Sequence, residues 1–332
     1  LAVGYCDFKG MPDAREAICE YHKSMGIEGV TPDDVFIGNG VSEVVSFALL
    51  PLLNRGDEVL LPSPSYSLWG NTVSLSGADP VFYICDEQSE WYPDIEDIRS
   101  KITPNTRAIV VINPNNPTGA TYPREILQGI VDLAREHDLI IFADEIYDRL
   151  VMDGKVHTSI ASLAPDLPVI TMNGLSKSHC LCGYRCGWMI ISGPRELTEE
   201  YRQGIVKLTS MRLCSNTLAQ LVIPAALNDM STPRSMVSPG GRLYEQREAA
   251  ISEIAKIDGM SVVKNTAAFY IFPKLDIKKF NITSDKFFAR DLLHATNILI
   301  VPGSGFDWRT PDHFRIVMLP EANELRDAIR RM

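Results

Sequence analysis

The chain has 332 residues, of which 45% are hydrophobic and 22% charged, an ordinary globular composition that suits two domains or one large α/β unit. Its formal net charge of −10 argues against a nucleic-acid-binding surface, because phosphate backbones are bound by clustered lysine and arginine. The longest apolar run, VVSFALLPLL, is about half as long as a membrane-spanning helix and contains Pro51, so we expect no membrane contact.

The start of the chain and its cysteines bear on where the protein works. The chain does not open on a charged segment followed by an apolar one, which is the pattern of a secretory signal. The seven cysteines are odd in number and irregularly spaced, so they do not indicate a disulfide framework, and we expect a cytoplasmic protein. The chain begins with Leu1 and enters a helical pattern almost at once, so we expect that an N-terminal segment is missing.

Seven short runs rich in valine and isoleucine alternate with helix-length amphipathic segments, a pattern typical of an α/β protein. The runs are DVFIGN, EVLLP, PVFYIC, RAIVVIN, LIIFADE, PVITMNG and GWMIIS. Helices are predicted between them at about 41–53, 65–76, 94–101, 123–137 and 196–229. The pattern therefore predicts a large domain over residues 1–239, with a mostly parallel seven-stranded sheet flanked by helices.

The pattern changes after VSPGG, near the end of this first region. From Gly240 a long helical run leads into the short apolar segments MSVVKN, AFYIFPKL, ILIVPG and FRIVML, with one helix near 284–295. Glycine and proline mark the boundary. We therefore predict a smaller α+β domain over residues 240–332.

Ligands of open parallel sheets gather beyond the carboxyl ends of the strands, so polar residues directly after each strand are candidate site residues. The stretch GNGVSE joins the first strand to a helix start. The backbone N–H groups of Val41 and Ser42, together with the Ser42 hydroxyl and the helix dipole, would form an anion site. The same residues equally fit a plain strand-to-helix turn with an N-cap.

Two further strand ends carry polar side chains. The loop NPNNPTG is too rich in proline and asparagine for a regular element and would hold Asn116 over a ligand, unless it serves only to turn the chain. In ADEIYD, Asp144 ends a strand and Tyr147 lies one turn further on. A strand-end aspartate is usually a helix N-cap. Buried beside a heteroaromatic nitrogen, however, it would keep that nitrogen protonated.

The segment NGLSKSHCLCGYRCGW holds a single lysine, Lys177, after the sixth predicted strand. An isolated lysine is usually a solvated charge. With Ser176 beside it and Arg185 on the next segment, it could instead be a desolvated amine that forms a Schiff base, while Arg185 binds a phosphate. A lysine Schiff base with an acidic partner for a pyridinium nitrogen is the arrangement of pyridoxal phosphate sites.

The cysteines of the same segment, Cys180, Cys182 and Cys186, have the spacing C-x-C-x₃-C. A metal site would need a fourth soft ligand and would not be expected beside cations such as Lys177 and Arg185. We therefore expect no metal and interpret the cysteines as small packing residues.

Taken in order, these motifs resemble those of the class I and II, fold-type I aminotransferases. The motifs that carry the resemblance are GNGVSE, PSYSLW, NPNNPTGA, ADEIYD, LSKSHCLCGYRCGW and FRIVMLP, and together they span nearly the whole chain. Stretches such as SMRLCSN and PGGRLYEQR are most similar to alanine (glutamate–pyruvate) aminotransferases.

The resemblance implies a pyridoxal 5'-phosphate enzyme in which Lys177 forms the Schiff base and Asp144 pairs with the pyridine nitrogen. Asn116 and Tyr147 would hydrogen-bond the phenolic oxygen of the cofactor, and Tyr66 would stack on its ring. Lys177, Asp144 and Tyr147 would be the catalytic residues. The cofactor phosphate would be held by Val41, Ser42, Ser176 and Arg185.

The same resemblance bears on substrate and assembly. Arg315, in FRIVMLP, would bind the substrate α-carboxylate as a planar fork, with Asn116 beside it. Tyr5 would reach the cofactor phosphate of a neighbouring subunit, which implies a homodimer with shared active sites. One position departs from the family pattern, because Gly174 stands where relatives often have a phosphate-binding serine. Ser176 would then carry more of that role, or none.

The expected reaction is a ping-pong transfer of an amino group between an amino acid and a 2-oxo acid, with L-alanine and 2-oxoglutarate as one pair. Aminotransferases for aspartate or aromatic amino acids use the same core residues, as do pyridoxal-phosphate C–S lyases and synthases. A non-catalytic ligand-binding module on this fold is a further alternative. Arg212 would either meet a side-chain carboxylate of the substrate or form a structural ion pair.

Overall fold

The computed structural model describes residues 3–332. Its α-helices in chain order are α1 (Pro12–Ser24), α2 (Val41–Leu49), α3 (Leu68–Leu75), α4 (Ile95–Lys101), α5 (Arg124–Glu136), α6 (Leu175–Ser178), α7 (Arg195–Arg212), α8 (Thr217–Gln220), α9 (Ile223–Asn228), α10 (Ser231–Val237), α11 (Arg242–Ile254), α12 (Asp285–Thr296) and α13 (Ala322–Arg331). Its strands are β1 (Val35–Asn39), β2 (Glu58–Ser63), β3 (Asp79–Asp86), β4 (Tyr92–Pro93), β5 (Thr106–Ile112), β6 (Ile140–Asp144), β7 (Val169–Gly174), β8 (Cys186–Ser192), β9 (Met260–Ser261), β10 (Tyr270–Ile271), β11 (Lys274–Leu275), β12 (Val301–Pro302) and β13 (Phe314–Val317).

Eight strands form the large sheet, in the order β1-β8-β7-β6-β5-β2-β3-β4. The five strands from β7 to β3 are mutually parallel, whereas β8 is antiparallel to both of its neighbours and β4 is antiparallel to β3. Because β8 reverses direction between β1 and β7, β1 points the same way as the parallel strands. The carboxyl ends of six strands and the start of β8 therefore lie at one edge of the sheet.

Both faces of this sheet are buried, which explains why its strands are apolar on successive residues. Neighbouring side chains of a strand point to opposite faces. Ile109 and Val111 accordingly belong to one hydrophobic cluster, while Val110 packs with Phe142 in the other. The first cluster includes residues of α1 and α5, and the second includes residues of α2, α3 and α7.

The predicted fold class is confirmed, and each of the seven predicted strands is present. The predicted number of strands is wrong by one, because β4 also joins the sheet at its edge. β4 has only two residues, which is too short to give a periodic apolar pattern. The helix predicted at 196–229 is also wrong as a single element. It ends at Arg212, because Leu213 has a positive φ of 79° and the Asn216 side chain caps a new helix.

The C-terminal region has its own apolar cluster, built from α11, α12, α13 and a three-stranded sheet in the order β10-β13-β12. Ile271, Leu292 and Phe314 are among its buried members. A further cluster joins Ile146 and Tyr147, after β6, to residues of this region such as Tyr270. The domain boundary between residues 239 and 240 stays a prediction. Within residues 3–332, no helix is both long enough and apolar enough to cross a membrane.

Candidate active site

A cavity of about 260 Å³ lies at the edge of the large sheet where the parallel strands end. Its volume is close to the lower limit of clefts that bind small molecules, about 300 Å³. Of the predicted site residues, the cavity is lined by Val41, Ser42, Tyr66, Asn116, Asp144, Tyr147, Ser176, Lys177, Arg185 and Arg315. The structure therefore brings together predicted residues from seven segments of the chain, and only Tyr5 of the predicted set lies elsewhere.

One end of the cavity is built to hold an anion. Helix α2 begins at Val41, directly after β1, and the first N–H groups of a helix have no partner within it. Arg185 lies just before β8, and its Nη2 donates a hydrogen bond to Ser42 Oγ at 3.2 Å. A second guanidinium nitrogen, Nη1, donates to the Cys182 carbonyl at 2.9 Å. We call Val41, Ser42 and Arg185 the anion cradle, because their donors converge where the helix dipole is positive.

Gly40, between β1 and α2, makes the cradle possible. Its φ of +85° is a conformation that only glycine adopts without strain. A Cβ at this position would also lie 2.3 Å from Arg185 Nη2. The guanidinium therefore rests against a backbone that has no side chain.

We expect Gly40→Ala to displace Arg185 and to weaken the binding of anionic ligands. The strained φ alone should destabilise the fold by about 1–3 kcal/mol. Thermal unfolding and phosphate affinity measured on the same preparation check both effects. Gly56→Ala is the matched control, because Gly56 also has a positive φ but a Cβ there would meet open space. The prediction fails if both variants retain the phosphate affinity of the unmodified protein.

Asp144 is the last residue of β6 and is only 5% exposed. Its Oδ2 accepts a hydrogen bond from Trp69 Nε1 at 3.2 Å, and its Oδ1 accepts one from the Ile146 N–H at 3.3 Å. Burial raises the pKa of this carboxyl above its ordinary value, and the two donors and the charge of Lys177 only partly oppose it. A cationic ring nitrogen in the cavity would stabilise the ionised carboxylate.

Lys177 follows β7 and projects into the cavity from the short helix α6, with Ser176 beside it. Its Nζ lies 5.6 Å from the ring centroid of Phe269 and 5.9 Å from that of Tyr147. The side chain is partly buried and faces aromatic walls, and it makes no salt bridge within residues 3–332. A primary amine placed in this way is available as a nucleophile.

The glycine that departs from the family pattern, Gly174, has a packing reason. A Cβ at Gly174 would lie 2.6 Å from the Cys186 carbonyl oxygen and 3.0 Å from the Gly187 Cα. A serine would therefore force β7 and β8 apart. Among the two positions considered for a phosphate-binding serine, only Ser176 offers a hydroxyl at the cavity.

The wall formed by the C-terminal region carries Arg315, on β13. Its guanidinium lies between the rings of Tyr270 and Phe306, 4.5 and 4.6 Å from their centroids. Its Nη1 donates to Asn116 Oδ1 at 3.0 Å, whereas its buried Nε has no hydrogen-bond partner within residues 3–332. The aromatic rings fix the plane of the fork and leave donors for a carboxylate.

Sequence reasoning missed two residues that shape the site. Tyr270 lines the cavity, packs on Arg315 and accepts a 3.2 Å hydrogen bond from the Tyr147 hydroxyl. Burial holds the pKa of Tyr147 well above its ordinary value, so its hydroxyl stays protonated. The second missed residue is Trp69, the donor to Asp144. Trp69 stands in the motif PSYSLW. A tryptophan there is expected to be buried with a hydrogen-bond acceptor for its indole N–H, so this contact could have been predicted.

Two of the predicted or considered residues, Tyr5 and Arg212, do not line the cavity, and the cysteines near it are divided between its rim and the sheet. Tyr5 is 83% exposed and does not line the cavity. Arg212 forms an ion pair with Glu43, which is the structural alternative considered for it. Cys182 is exposed at the cavity rim, while Cys186 is buried in β8. No group of three or more metal-binding side chains is found within residues 3–332.

Comparison with known proteins identifies the class that this fold and cavity define. The profile of the family "Aminotransferase class I and II" matches residues 2–332. The chain therefore belongs to the class I and II aminotransferases, and the resemblance drawn from its motifs is confirmed.

One relative and two solved structures show which aminotransferases this chain is similar to. The chain is 52% identical over 331 residues to the glutamate-pyruvate aminotransferase AlaA of Haemophilus influenzae, covering 100% of this chain and 82% of the relative. An aminotransferase structure from Escherichia coli superposes with a TM-score of 0.98 at 51% identity, over 99% of this chain and 82% of that one. The alanine aminotransferase of Pyrococcus furiosus gives a TM-score of 0.94 at 41% identity, with coverage of 99% and 82%.

Proposed function

We propose that the protein is a pyridoxal-phosphate-dependent aminotransferase that transfers an amino group between L-alanine and 2-oxoglutarate, giving pyruvate and L-glutamate. The observation that carries this proposal is the convergence of four chemically different groups on one cavity. These groups are the Lys177 amine, the buried Asp144 carboxylate, the anion cradle and the Arg315 guanidinium.

The residues present fit pyridoxal phosphate. The anion cradle and Ser176 would hold the phosphate, and Asp144 would pair with the ring nitrogen, which compensates for its burial. Tyr66 would cover one face of the ring. Asn116 Oδ1 is engaged by Arg315, which leaves its amide NH₂ to donate to the phenolic oxygen.

Tyr147 would also donate to that oxygen. Its hydroxyl proton now points to Tyr270, and reversing this hydrogen bond would release it. Tyr270 would then donate to the Tyr147 oxygen, so both hydroxyls would stay satisfied. Tyr270, which was not predicted from the sequence, would thus assist Tyr147 in binding the phenolic oxygen.

When bound, the cofactor supplies an electron-withdrawing ring that accepts the electron pair left at the substrate α-carbon. The protein residues provide the rest. Arg315 would bind the α-carboxylate and so orient the α-hydrogen, and the Lys177 amine, once the substrate amine has released it from the cofactor, would remove this proton as general base and deliver it to the cofactor. Asp144 keeps the ring nitrogen protonated throughout. The aromatic walls formed by Tyr270 and Phe306 limit the access of water to the Arg315 fork.

The proposed choice of alanine rests on the relatives. The relative from Haemophilus influenzae is named for glutamate and pyruvate, and the structure from Pyrococcus furiosus is named an alanine aminotransferase. Arg212 is occupied by Glu43, so the distal carboxylate of 2-oxoglutarate and L-glutamate would be bound by another group.

We further propose a homodimer with shared active sites. Exposed apolar side chains cluster on the segment after α7, at Leu213, Leu218 and Leu221. This segment lies next to the cradle, because the Asn216 N–H donates to Asn39 Oδ1 at 2.9 Å, immediately before Gly40. An exposed apolar surface of this kind is typical of a subunit interface. Tyr5 would serve the neighbouring subunit's site.

We also propose a cytoplasmic location, in keeping with seven unpaired cysteines.

The visible absorption of the purified holoenzyme tests the proposed reaction. We expect L-alanine to bleach the yellow absorption of the lysine-bound cofactor, and 2-oxoglutarate to restore it, because each half-reaction is stoichiometric. L-aspartate and L-tyrosine, added in parallel, should have little effect at the same concentration. A yellow protein that responds only to another amino acid would contradict the choice of alanine. Failure to form any yellow species with added cofactor would contradict the proposal as a whole.

A further inference from the structure

A partly buried ion pair lies directly behind the anion cradle and belongs to none of the roles assigned so far. Glu43 is in the first turn of α2, and Arg212 is the last residue of α7. Arg212 Nη1 contacts Glu43 Oε2 at 2.5 Å, and the two side chains are 12% and 22% exposed. The pair therefore joins two helices at the base of the loop that precedes the cradle.

The Glu43 carboxylate also accepts hydrogen bonds from Asn39, in the loop between β1 and α2. Its Oε2 accepts the Asn39 backbone N–H at 2.7 Å, and its Oε1 accepts the Asn39 side-chain amide at 3.0 Å. Gly40 follows Asn39 and carries the Arg185 guanidinium against its Cα. The carboxylate thus fixes the residue immediately before the cradle.

Arg212 is itself anchored to the scaffold. Its Nη2 donates to the carbonyls of Phe8 and Ile37 at 3.1 and 3.2 Å. The guanidinium therefore has a fixed position relative to β1, and its ion pair with Glu43 fixes the Glu43 carboxylate as well. The contacts run without a gap from β1 through Arg212 and Glu43 to the start of α2.

Charge gives the pair a second consequence. A carboxylate in the first turn of a helix is favourable for the helix alone, but here it lies next to a site for a doubly charged phosphate. Without Arg212, the charge of Glu43 would repel that phosphate. The guanidinium both holds the loop and cancels the carboxylate charge.

We propose that Glu43 and Arg212 are positioning residues for the cofactor phosphate: they fix the loop that forms the anion cradle and neutralise each other there, and Arg212 does not bind substrate. This inference rests on the proposed function, because it needs a phosphorylated cofactor in the cavity. Replacing either residue should therefore weaken the contacts that hold the phosphate and leave those that hold the ring unchanged.

The test compares two ligands that differ only in the phosphate. Dissociation constants of pyridoxal phosphate and of pyridoxal are measured for the apoprotein by absorption, with wild type, Glu43→Gln, Arg212→Gln and the control Glu199→Gln. Glu199 forms an exposed ion pair with Arg195 at the other end of α7. We expect Glu43→Gln to weaken pyridoxal phosphate binding by less than about tenfold, because the freed charge of Arg212 partly offsets the loss of the charged hydrogen bonds to Asn39, and to leave pyridoxal binding unchanged.

Arg212→Gln should weaken pyridoxal phosphate binding more than Glu43→Gln does, because it leaves the carboxylate charge of Glu43 beside the phosphate. Glu199→Gln should match wild type, and the KM for L-alanine at saturating cofactor should be unchanged in every variant. If Arg212→Gln does not fold, Arg212→Lys keeps the charge and loses the carbonyl contacts, and it should still lower the preference for the phosphorylated ligand.

Three results would overturn the inference. An equal loss of affinity for both ligands would mark a merely structural role, and unchanged affinity for both would mark no role. A raised KM for L-alanine in the Arg212 variants would place that residue at the substrate. A wild-type protein that does not prefer pyridoxal phosphate to pyridoxal would instead contradict the proposed function, so the two failures are distinguishable.

Discussion

Replacing Lys177 by alanine is expected to lower the rate of pyruvate formation from L-alanine by more than about 10⁴-fold. The change removes both the nucleophile and the general base, and general base catalysis alone contributes up to about 10⁴-fold. Cofactor affinity should fall less, because the cradle and Asp144 remain. The initial rate of pyruvate release, with a coupled dehydrogenase, measures the effect.

The covalent role of Lys177 has its own readout. Borohydride should fix the cofactor to the wild-type chain, on the peptide that contains Lys177, and should leave the variant unlabelled. Lys207→Ala is the control, because Lys207 is an exposed lysine on α7 and its loss should change neither result. Labelled peptide from the Lys177 variant, or activity equal to that of Lys207→Ala, would show that another amine does the chemistry.

Replacing Asp144 by asparagine is expected to lower kcat roughly 10³-fold. The asparagine keeps the shape and an acceptor for Trp69 or Ile146, but it cannot hold a ring nitrogen protonated by its charge. Losing one preorganised electrostatic contact in an active site typically costs about 10²–10³-fold. Steady-state kcat at saturating cofactor measures the loss.

The comparison variant for Asp144 is Ser42→Ala, which removes one hydroxyl from the cradle. Its main effect should be on cofactor affinity, about tenfold, since a single hydrogen bond to a charged group is lost. The assignment of Asp144 to the ring nitrogen does not survive if Asp144→Asn retains near-full kcat, or if Ser42→Ala costs as much.

Much of the site could be predicted because its residues stand at strand ends. Asp144 ends a buried strand, and Asn116 and Lys177 each follow one, and parallel strands bring their carboxyl ends together at one edge of the sheet. The same argument applies to Arg185, which directly precedes the antiparallel strand β8 and so lies at the same edge of the sheet. For these residues, local sequence and sheet geometry are sufficient.

The role of Tyr270 and the partner of Arg212 were not predicted, because both depend on contacts between distant parts of the chain. Tyr270 meets Tyr147 across 123 positions, and Arg212 meets Glu43 across 169. A single sequence carries no signal for such pairs, because each partner is ordinary in its own segment. The break after Arg212 is similar: the apolar pattern continues past it, and only the backbone at Leu213 shows where the helix ends.

The antiparallel position of β8 also has a consequence for the order of folding. Gly40 follows the first strand and Arg185 precedes the last strand of the large sheet, so the two halves of the cradle are separated by nearly half the chain. Closing so long a loop is entropically unfavourable until the strands between have paired. The nascent chain therefore completes its phosphate-binding end only after β8 has docked beside β7 and received β1. Under the proposed function, we therefore expect tight cofactor binding only in chains in which β8 has paired with both β7 and β1.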